Sequence, residues 1–169
     1  MEQQTLNNMT HTRPDWDTYF MTITEAASSR ATCDRGRTAC IAVVNRQILA
    51  TGYVGAPMGI EDCDTVGHEL HTVKNPDGSE SIHCIRTVHA EQNVIAQAAK
   101  TGVRLEGATL YCKLAPCYTC AKLIINAGIK RVVAANAYQQ GSVAVELLKK
   151  ANVQVDLLSN EIQTYDKTN

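Results

Sequence analysis

HAEQNVIAQAAKTGVRLEGATLYCKLAPCYTCAKLIINAGIKRVVAA, residues 89–135, decides the fold. Ala90 to Lys100 is an alanine-rich run at helical spacing that Gly102 closes. Ala108 to Lys113 reads as a strand, Cys117 to Ala127 as a helix opened by Pro116 and stopped by Gly128, and Lys130 to Ala135 as a second strand. A helix from Ser142 to Lys150 and a strand near Val153 to Leu157 continue the alternation, which predicts parallel pairing in this half of the chain. Upstream, Asp15 caps a helix carrying Trp16, Tyr19, Phe20, Ile23 and Ala26 or Ala27 along one apolar face, and that face should pack on a sheet. Ala39 to Asn45 and Gln47 to Tyr53 are β-type runs joined at Asn45-Arg46 as a hairpin.

Between these halves, Gly55 to Arg86 has no sustained period. A loop of about thirty residues is uncommon in a compact domain unless it is functional or tied down. This one contains Cys63, His68, His71, His83 and Cys84, donors with which a metal can tie it down.

The chain has 169 residues and a formal charge of −1. That length fits one domain, residues 13–169, able to bury roughly 70% of its unfolded surface. The polar residues 1–12 read as a frayed tail. Near-neutral charge without a basic stripe argues against a nucleic-acid partner and favours a small substrate. No apolar run approaches a membrane span and no signal-peptide core is visible, which points to a cytoplasmic protein. Seven cysteines, an odd number with metal-type spacing, fit a reducing compartment better than a disulfide framework.

The chemistry gathers at His89, Glu91, Cys117 and Cys120. Two cysteines three apart at a helix start point their sulfurs to one side, and the positive helix end favours thiolate. With the imidazole of His89 they make three zinc ligands, which leaves a fourth tetrahedral position for water, as catalytic zinc sites do. Hydrolytic removal of a ring amine also needs a group that carries protons to the ring and to the leaving nitrogen. Glu91, beside the ligands but not one of them, is placed for that task. A Cys-x-x-Cys alone fits a structural zinc knuckle or a redox pair; its combination with Pro116 and His89-Ala90-Glu91 is what selects hydrolytic deamination.

Longer words extend the pattern: Trp16-Asp17-x-Tyr19-Phe20-Met21, Thr32-Cys33, Thr51-Gly52-Tyr53-x-Gly55-Ala56-Pro57, Cys63-Asp64-x-Val66-Gly67, Cys84 through Asn93, and Leu123 through Val133. In these the chain resembles the deoxycytidylate (dCMP) deaminases of the cytidine deaminase-like superfamily. The resemblance implies an α/β three-layer sandwich, with a central five-stranded mixed sheet and helices on both faces. It implies a catalytic zinc on His89, Cys117 and Cys120 with Glu91 as proton shuttle, and conversion of dCMP to dUMP for thymidylate supply. It further implies a homo-oligomer, often a hexamer, with dCTP and dTTP as effectors.

One departure stands out. Family members usually have Asn between Tyr53 and Gly55, where related deaminases hold the sugar; here Val54 offers no side-chain hydrogen bond. Either another group reads the deoxyribose or the substrate is a different cytosine nucleotide, such as dCTP or a 5-substituted dCMP. Substrate-contact candidates are Val54, Ala90, Arg35, Arg86 and Tyr138. Arg35 and Arg86 are placed there for their phosphate-matching forks, and Tyr138 because family members lay an aromatic over the pyrimidine. Some members carry a second zinc, for which Cys33, Cys63, His68, His83 and Cys84 are candidates. Cys40 and Cys112 read as small core residues. Two other classes remain open: a deaminase of cytosine or adenine in nucleic acid, and a nucleotide-binding homologue without activity.

Overall fold

The computed structural model describes residues 12–75, 78–138 and 141–163. The expected tail lies, up to residue 11, outside the described residues. In chain order the elements are α1 (Trp16–Ser28), β1 (Ala39–Val44), β2 (Gln47–Tyr53), α2 (Cys63–Val66), β3 (Leu70–Lys74), β4 (Glu80–Cys84), α3 (Ala90–Thr101), β5 (Thr109–Leu114), α4 (Tyr118–Asn126), β6 (Arg131–Tyr138), α5 (Gly141–Lys150), β7 (Gln154–Leu157) and β8 (Ile162–Gln163). The main sheet runs β2-β1-β5-β6-β7, and β8 adds to the far end of β6. Pairing is antiparallel through β2, β1 and β5 and parallel through β5, β6 and β7. This is the expected mixed five-stranded sheet, lengthened at one corner by β8.

Strand alternation divides the core into two. Cys40, Ala42, Leu110, Cys112 and Val132 point to one face and pack against Ala90, Val94 and Ala98 of α3, Ala121 and Ile124 of α4, and Ala144 and Leu148 of α5. Ile41, Val43, Tyr111 and Val133 point to the other and pack against Phe20 of α1. The side chains α3 presents are small, so that helix lies close on the sheet. At Gly52 the approach leaves no room for a side chain: an added Cβ would stand 2.5 Å from the carbonyl oxygen of Ala90 and 2.6 Å from the amide nitrogen of Val94. Asn93 fastens the same contact by donating from Nδ2 to the Tyr53 carbonyl at 2.8 Å.

The orientation of α1 differs from the expected apolar face. Phe20, Thr24 and Ser28 are its buried residues, whereas Trp16 and Tyr19 are 47% and 44% exposed. Thr24 can face the core because its hydroxyl donates to its own helix at Phe20 O, leaving no unmet polar group. Trp16 instead stacks on Phe20 at the rim and lies 4.9 Å beneath the guanidinium of Arg46. Arg46 and Asn45 form the β1–β2 turn with φ of 64° and 49°, the left-handed pair that a two-residue hairpin requires.

An ionic knot ties α1 to the sheet. The Arg131 fork donates to both carboxylate oxygens of Asp17 at 2.9 and 2.7 Å and, through Nε, to Asp156 at 2.7 Å. The Tyr111 hydroxyl donates to Asp17 at 2.7 Å.

The loop between the halves is more ordered than its sequence suggests: it holds the one-turn helix α2 and the separate antiparallel pair β3–β4. Its periodicity is faint because β3 is exposed along its whole length and so has no apolar face to alternate. No helix among the described residues is long and apolar enough to cross a membrane.

Two outcomes are expected from this architecture. Gly52→Ala should cost about 2–3 kcal/mol in urea unfolding, since two backbone atoms of α3 must move; a loss within about 0.5 kcal/mol would contradict the close approach. Hydrogen bonding from Arg131 holds the Asp17 carboxyl below its usual range. Its stabilisation is therefore complete above the unfolded carboxylate value near pH 4 and is lost as pH falls through the lower folded value. Asp17→Asn should cost about 2 kcal/mol at neutral pH and flatten the decline of stability below about pH 4, read as unfolding midpoints across that range.

Candidate metal centre and active site

Two helix starts build the first donor group. His89 is the N-cap of α3 and Cys117 the N-cap of α4, both in extended backbone, and Cys120 lies one turn into α4. The helix begins one residue later than its sequence suggests, so Pro116 precedes the cap instead of opening the first turn. The His89 amide donates to Gln92 Oε1 at 3.0 Å, so α3 is capped by Gln92 while the imidazole turns to the sulfurs. A short bridge between Val88 and Gly55 sets His89 beside the end of β2.

His89 Nδ1 lies 3.5 Å from Cys117 Sγ and 3.4 Å from Cys120 Sγ. Zinc at its usual bond lengths with tetrahedral angles places ligand nitrogen and sulfur about 3.6 Å apart, so the three atoms already span one face of a coordination tetrahedron. Hydrogen bonding from Cys120, then from His89, pushes the Cys117 thiol down to about 4, into the thiolate form that ligates metals. The same contact with Cys117 holds His89 up to about 9. Glu91 follows two residues after the cap, is only 8% exposed and belongs to neither donor group. Burial raises its pKa, against the opposing pull of His89.

The second donor group comprises Cys33, Cys63, His68 and Cys84, one ligand atom each, all within 4.8 Å of one another. Cys33 Sγ is 3.8 Å from His68 Nδ1 and Cys63 Sγ is 3.6 Å from Cys84 Sγ. Four donors make a closed tetrahedron of structural type, in contrast to the open set of three. Burial raises the Cys33 and Cys63 thiols, a cost to ionisation that a divalent cation offsets. Asp34 Oδ1 accepts from His68 Nε2 at 2.9 Å, the carboxylate orientation typical of a ligating histidine. Sequence reasoning missed Asp34, although an acid next to an expected ligand was a usable signal.

His83 corrects the expected ligand set. It is outside this group, and its Nε2 is 2.8 Å from the Ser81 hydroxyl. The reason is strand geometry: on β4, neighbouring residues point to opposite sides, so Cys84 reaches the metal group and His83 cannot.

A cavity of ≈ 290 Å³ joins the centre to the hairpin. His89, Glu91 and Cys117 form its metal end, with Cys40, Val54, Leu114 and Ala115 beside them, and Tyr138, Arg35 and His83 are also in its wall. Three of the expected substrate contacts, Val54, Arg35 and Tyr138, thus border it. Ala90 and Arg86 do not: Ala90 is turned into the core against Gly52, and Arg86 pairs loosely with Glu69 at 3.7 Å. Tyr138 is pushed up to about 12, chiefly by burial, and remains a neutral phenol. Thr38 and Thr87 also line the cavity and carry no sequence signal of their own.

The chain is thus a three-layer α/β domain that sets a buried carboxylate beside an open group of three metal-type donors. The chain belongs to the family described as the cytidine and deoxycytidylate deaminase zinc-binding region, whose model matches residues 14–136. It is 35% identical over 143 residues to the deoxycytidylate deaminase of Saccharomyces cerevisiae, covering 85% of this chain and 45% of that protein. It is 40% identical over 124 residues to the deoxycytidylate deaminase of Mycobacterium phage D29, covering 72% of this chain and 94% of the relative. The chain therefore spans about half the length of the yeast relative and matches nearly all of the phage one. Among solved structures, the dCMP deaminase of cyanophage S-TIM5 in complex with dCMP and dUMP superposes with a TM-score of 0.71 at 31% identity, covering 87% of this chain and 99% of that one.

Protein purified without chelator is expected to contain about two zinc ions per chain by elemental analysis, one per donor group. Cys63→Ser should reduce this to about one and lower the thermal midpoint. A wild-type value of one would eliminate the four-donor site.

Proposed function

We propose that this chain hydrolyses dCMP to dUMP and ammonia, with zinc held by His89, Cys117 and Cys120 and protons moved by Glu91. The observation that carries the reading is Glu91 itself: a buried carboxyl in the cavity wall beside an open donor set, which among the described residues belongs to neither donor group. Support for the substrate comes from relatives named deoxycytidylate deaminase and from the S-TIM5 enzyme in complex with dCMP and dUMP.

When bound, zinc supplies a water acidic enough to serve as hydroxide near neutral pH. Glu91 takes one proton from the attacking water as oxygen is added at C4 of the cytosine and delivers it to N3; it then takes the second proton from the new C4 hydroxyl and passes it to the amine as C4–N4 breaks and the C4 carbonyl forms. Water and dCMP become dUMP and ammonia, and Glu91 ends in the state in which it began. Its burial matters because desolvation raises the carboxyl's pKa and so makes it a stronger proton acceptor. In this reading Val54 and Leu114 shape an apolar wall, Tyr138 lies against the pyrimidine, and Arg35 supplies a cation for the phosphate. With Val54 at this position, the deoxyribose is held by shape or by the neighbouring threonines and not by a side-chain amide.

The four-donor group is assigned a second, structural zinc. The family resemblance extends the proposal to a homo-hexamer, to dCTP and dTTP as effectors, and to a cytoplasmic setting, the last in keeping with seven free thiols.

Release of ammonia from dCMP, CMP, deoxycytidine, dCTP and 5-substituted dCMP, with and without dCTP as effector, tests the reading. dCMP should give the highest kcat/KM, and preference for the unphosphorylated nucleoside would overturn the substrate. Glu91→Gln is expected to keep its zinc and lose about 10³-fold in kcat; retained turnover would remove Glu91 from the mechanism.

A further inference from the structure

Five of the seven cysteines, Cys33, Cys63, Cys84, Cys117 and Cys120, belong to the two donor groups. Cys40 and Cys112 belong to neither, and the deamination gives them no task. They are direct partners in the antiparallel register of β1 and β5, and both turn to the face that α3 covers. The Cys40 thiol donates to Cys112 Sγ at 2.9 Å. Residues opposed in an antiparallel ladder have Cα atoms about 4.5 or 5.5 Å apart, and a disulfide spans about 4.4–6.8 Å between Cα atoms. The ladder therefore already holds these two residues at disulfide spacing, with their sulfurs turned to each other.

We propose that Cys40 and Cys112 are an oxidative modification site: hydrogen peroxide entering the cavity links them, and the cross-strand disulfide reversibly lowers turnover.

Access separates the two sulfurs. Cys40 borders the cavity together with His89, Glu91 and Cys117, whereas Cys112 lies behind it in the core. Burial raises both thiols above their ordinary range, so the resting pair is protonated and reacts slowly, and only an oxidant small enough to enter the cavity reaches it. The peroxide O–O bond breaks as one oxygen joins Cys40 Sγ to give a sulfenic acid, and the other oxygen leaves as water. Cys112 Sγ then displaces the hydroxyl of the sulfenic acid, which leaves as a second water as the S–S bond forms. Two thiols thus lose two electrons and two protons to one peroxide, and a dithiol reductant reverses the step.

The link acts on the cavity through both strands. Thr38, Ala39 and Cys40 at the start of β1 and Leu114 and Ala115 at the end of β5 line it, so a bond between the strands shifts the wall beside Glu91. Reacting atoms tolerate little displacement, since about 1 Å costs roughly 100-fold in rate.

The test exposes the zinc-loaded protein to hydrogen peroxide, maps disulfides by mass spectrometry after alkylation and digestion, and follows zinc content and ammonia release from dCMP. A peptide joining Cys40 to Cys112 should appear with zinc retained, and kcat should fall by about 10-fold or more and return with dithiothreitol. Cys112→Ala and Cys112→Ser should form no link and keep their own untreated kcat through the same exposure. Absence of the link in the wild type overturns the proposal, and so does a link that leaves kcat unchanged. If either variant loses turnover as the wild type does, the zinc thiolates are the target and the proposal is wrong. The link is read by mass without substrate, so its absence tells against this site and not against the deaminase reading.

Discussion

The meeting of two helix N-termini governs the site. α3 and α4 each begin at a metal-type residue, and the sheet holds those beginnings so that one nitrogen and two sulfurs lie within 3.5 Å contacts. Helix starts expose amide donors and carry partial positive charge, so they favour the thiolates and the carboxylate that this site places there. The arrangement depends on how deeply α3 settles on β2, and Gly52 sets that depth by leaving backbone against backbone. A side chain at that position would lift the helix that carries both His89 and Glu91. Sheet packing and metal geometry are thus one constraint seen from two sides.

The two donor groups differ in number, and the difference matches their surroundings. The three-donor set sits on long helices rooted in the main core, which can hold three ligands rigid without help from a fourth. The four-donor set gathers a loop residue, the first residue of a one-turn helix, the histidine after it and the end of a two-stranded hairpin. Those pieces bury little: their shared apolar cluster is Ala31, Cys33, Val54 and Cys63, with Cys84 packed against it. A small cluster cannot fix such a segment by burial alone, and short protein segments of this kind depend on metal clips.

Most of the main sheet was legible because its residues obey one period at a time. Ala39–Val44 and Thr109–Leu114 are buried on both faces and read as continuous apolar strands, and α3 and α4 keep helical spacing up to Gly102 and Gly128. The tripod was legible too, since Cys-x-x-Cys and His-x-Glu are local spacings and their joining follows from parallel pairing. What stayed hidden depends on contacts between segments. Trp16 and Tyr19 look like core residues until Arg46, thirty positions away, is seen to cover one of them at the rim. β3 and β4 have no apolar alternation because one strand is wholly exposed, so nothing in the sequence separates them from loop. His83 was grouped with the metal ligands by proximity along the chain, whereas the alternation of β4 sends it and Cys84 to opposite sides.

Cys84 belongs to the four-donor group and, like His83, also lines the cavity, so the hairpin borders both sites. The end of the cavity that holds the three donors is built on α3 and α4, whose roots are in the main core, and the opposite end on a hairpin with little core of its own. Chemistry needs positional accuracy of a fraction of an ångström and belongs on the rigid part. On the hairpin the bracing is polar, running from Asn75 through Ser81 to His83 and from Arg35 to Ile82. Local hydrogen bonds thus do for the hairpin what apolar packing does for the helices.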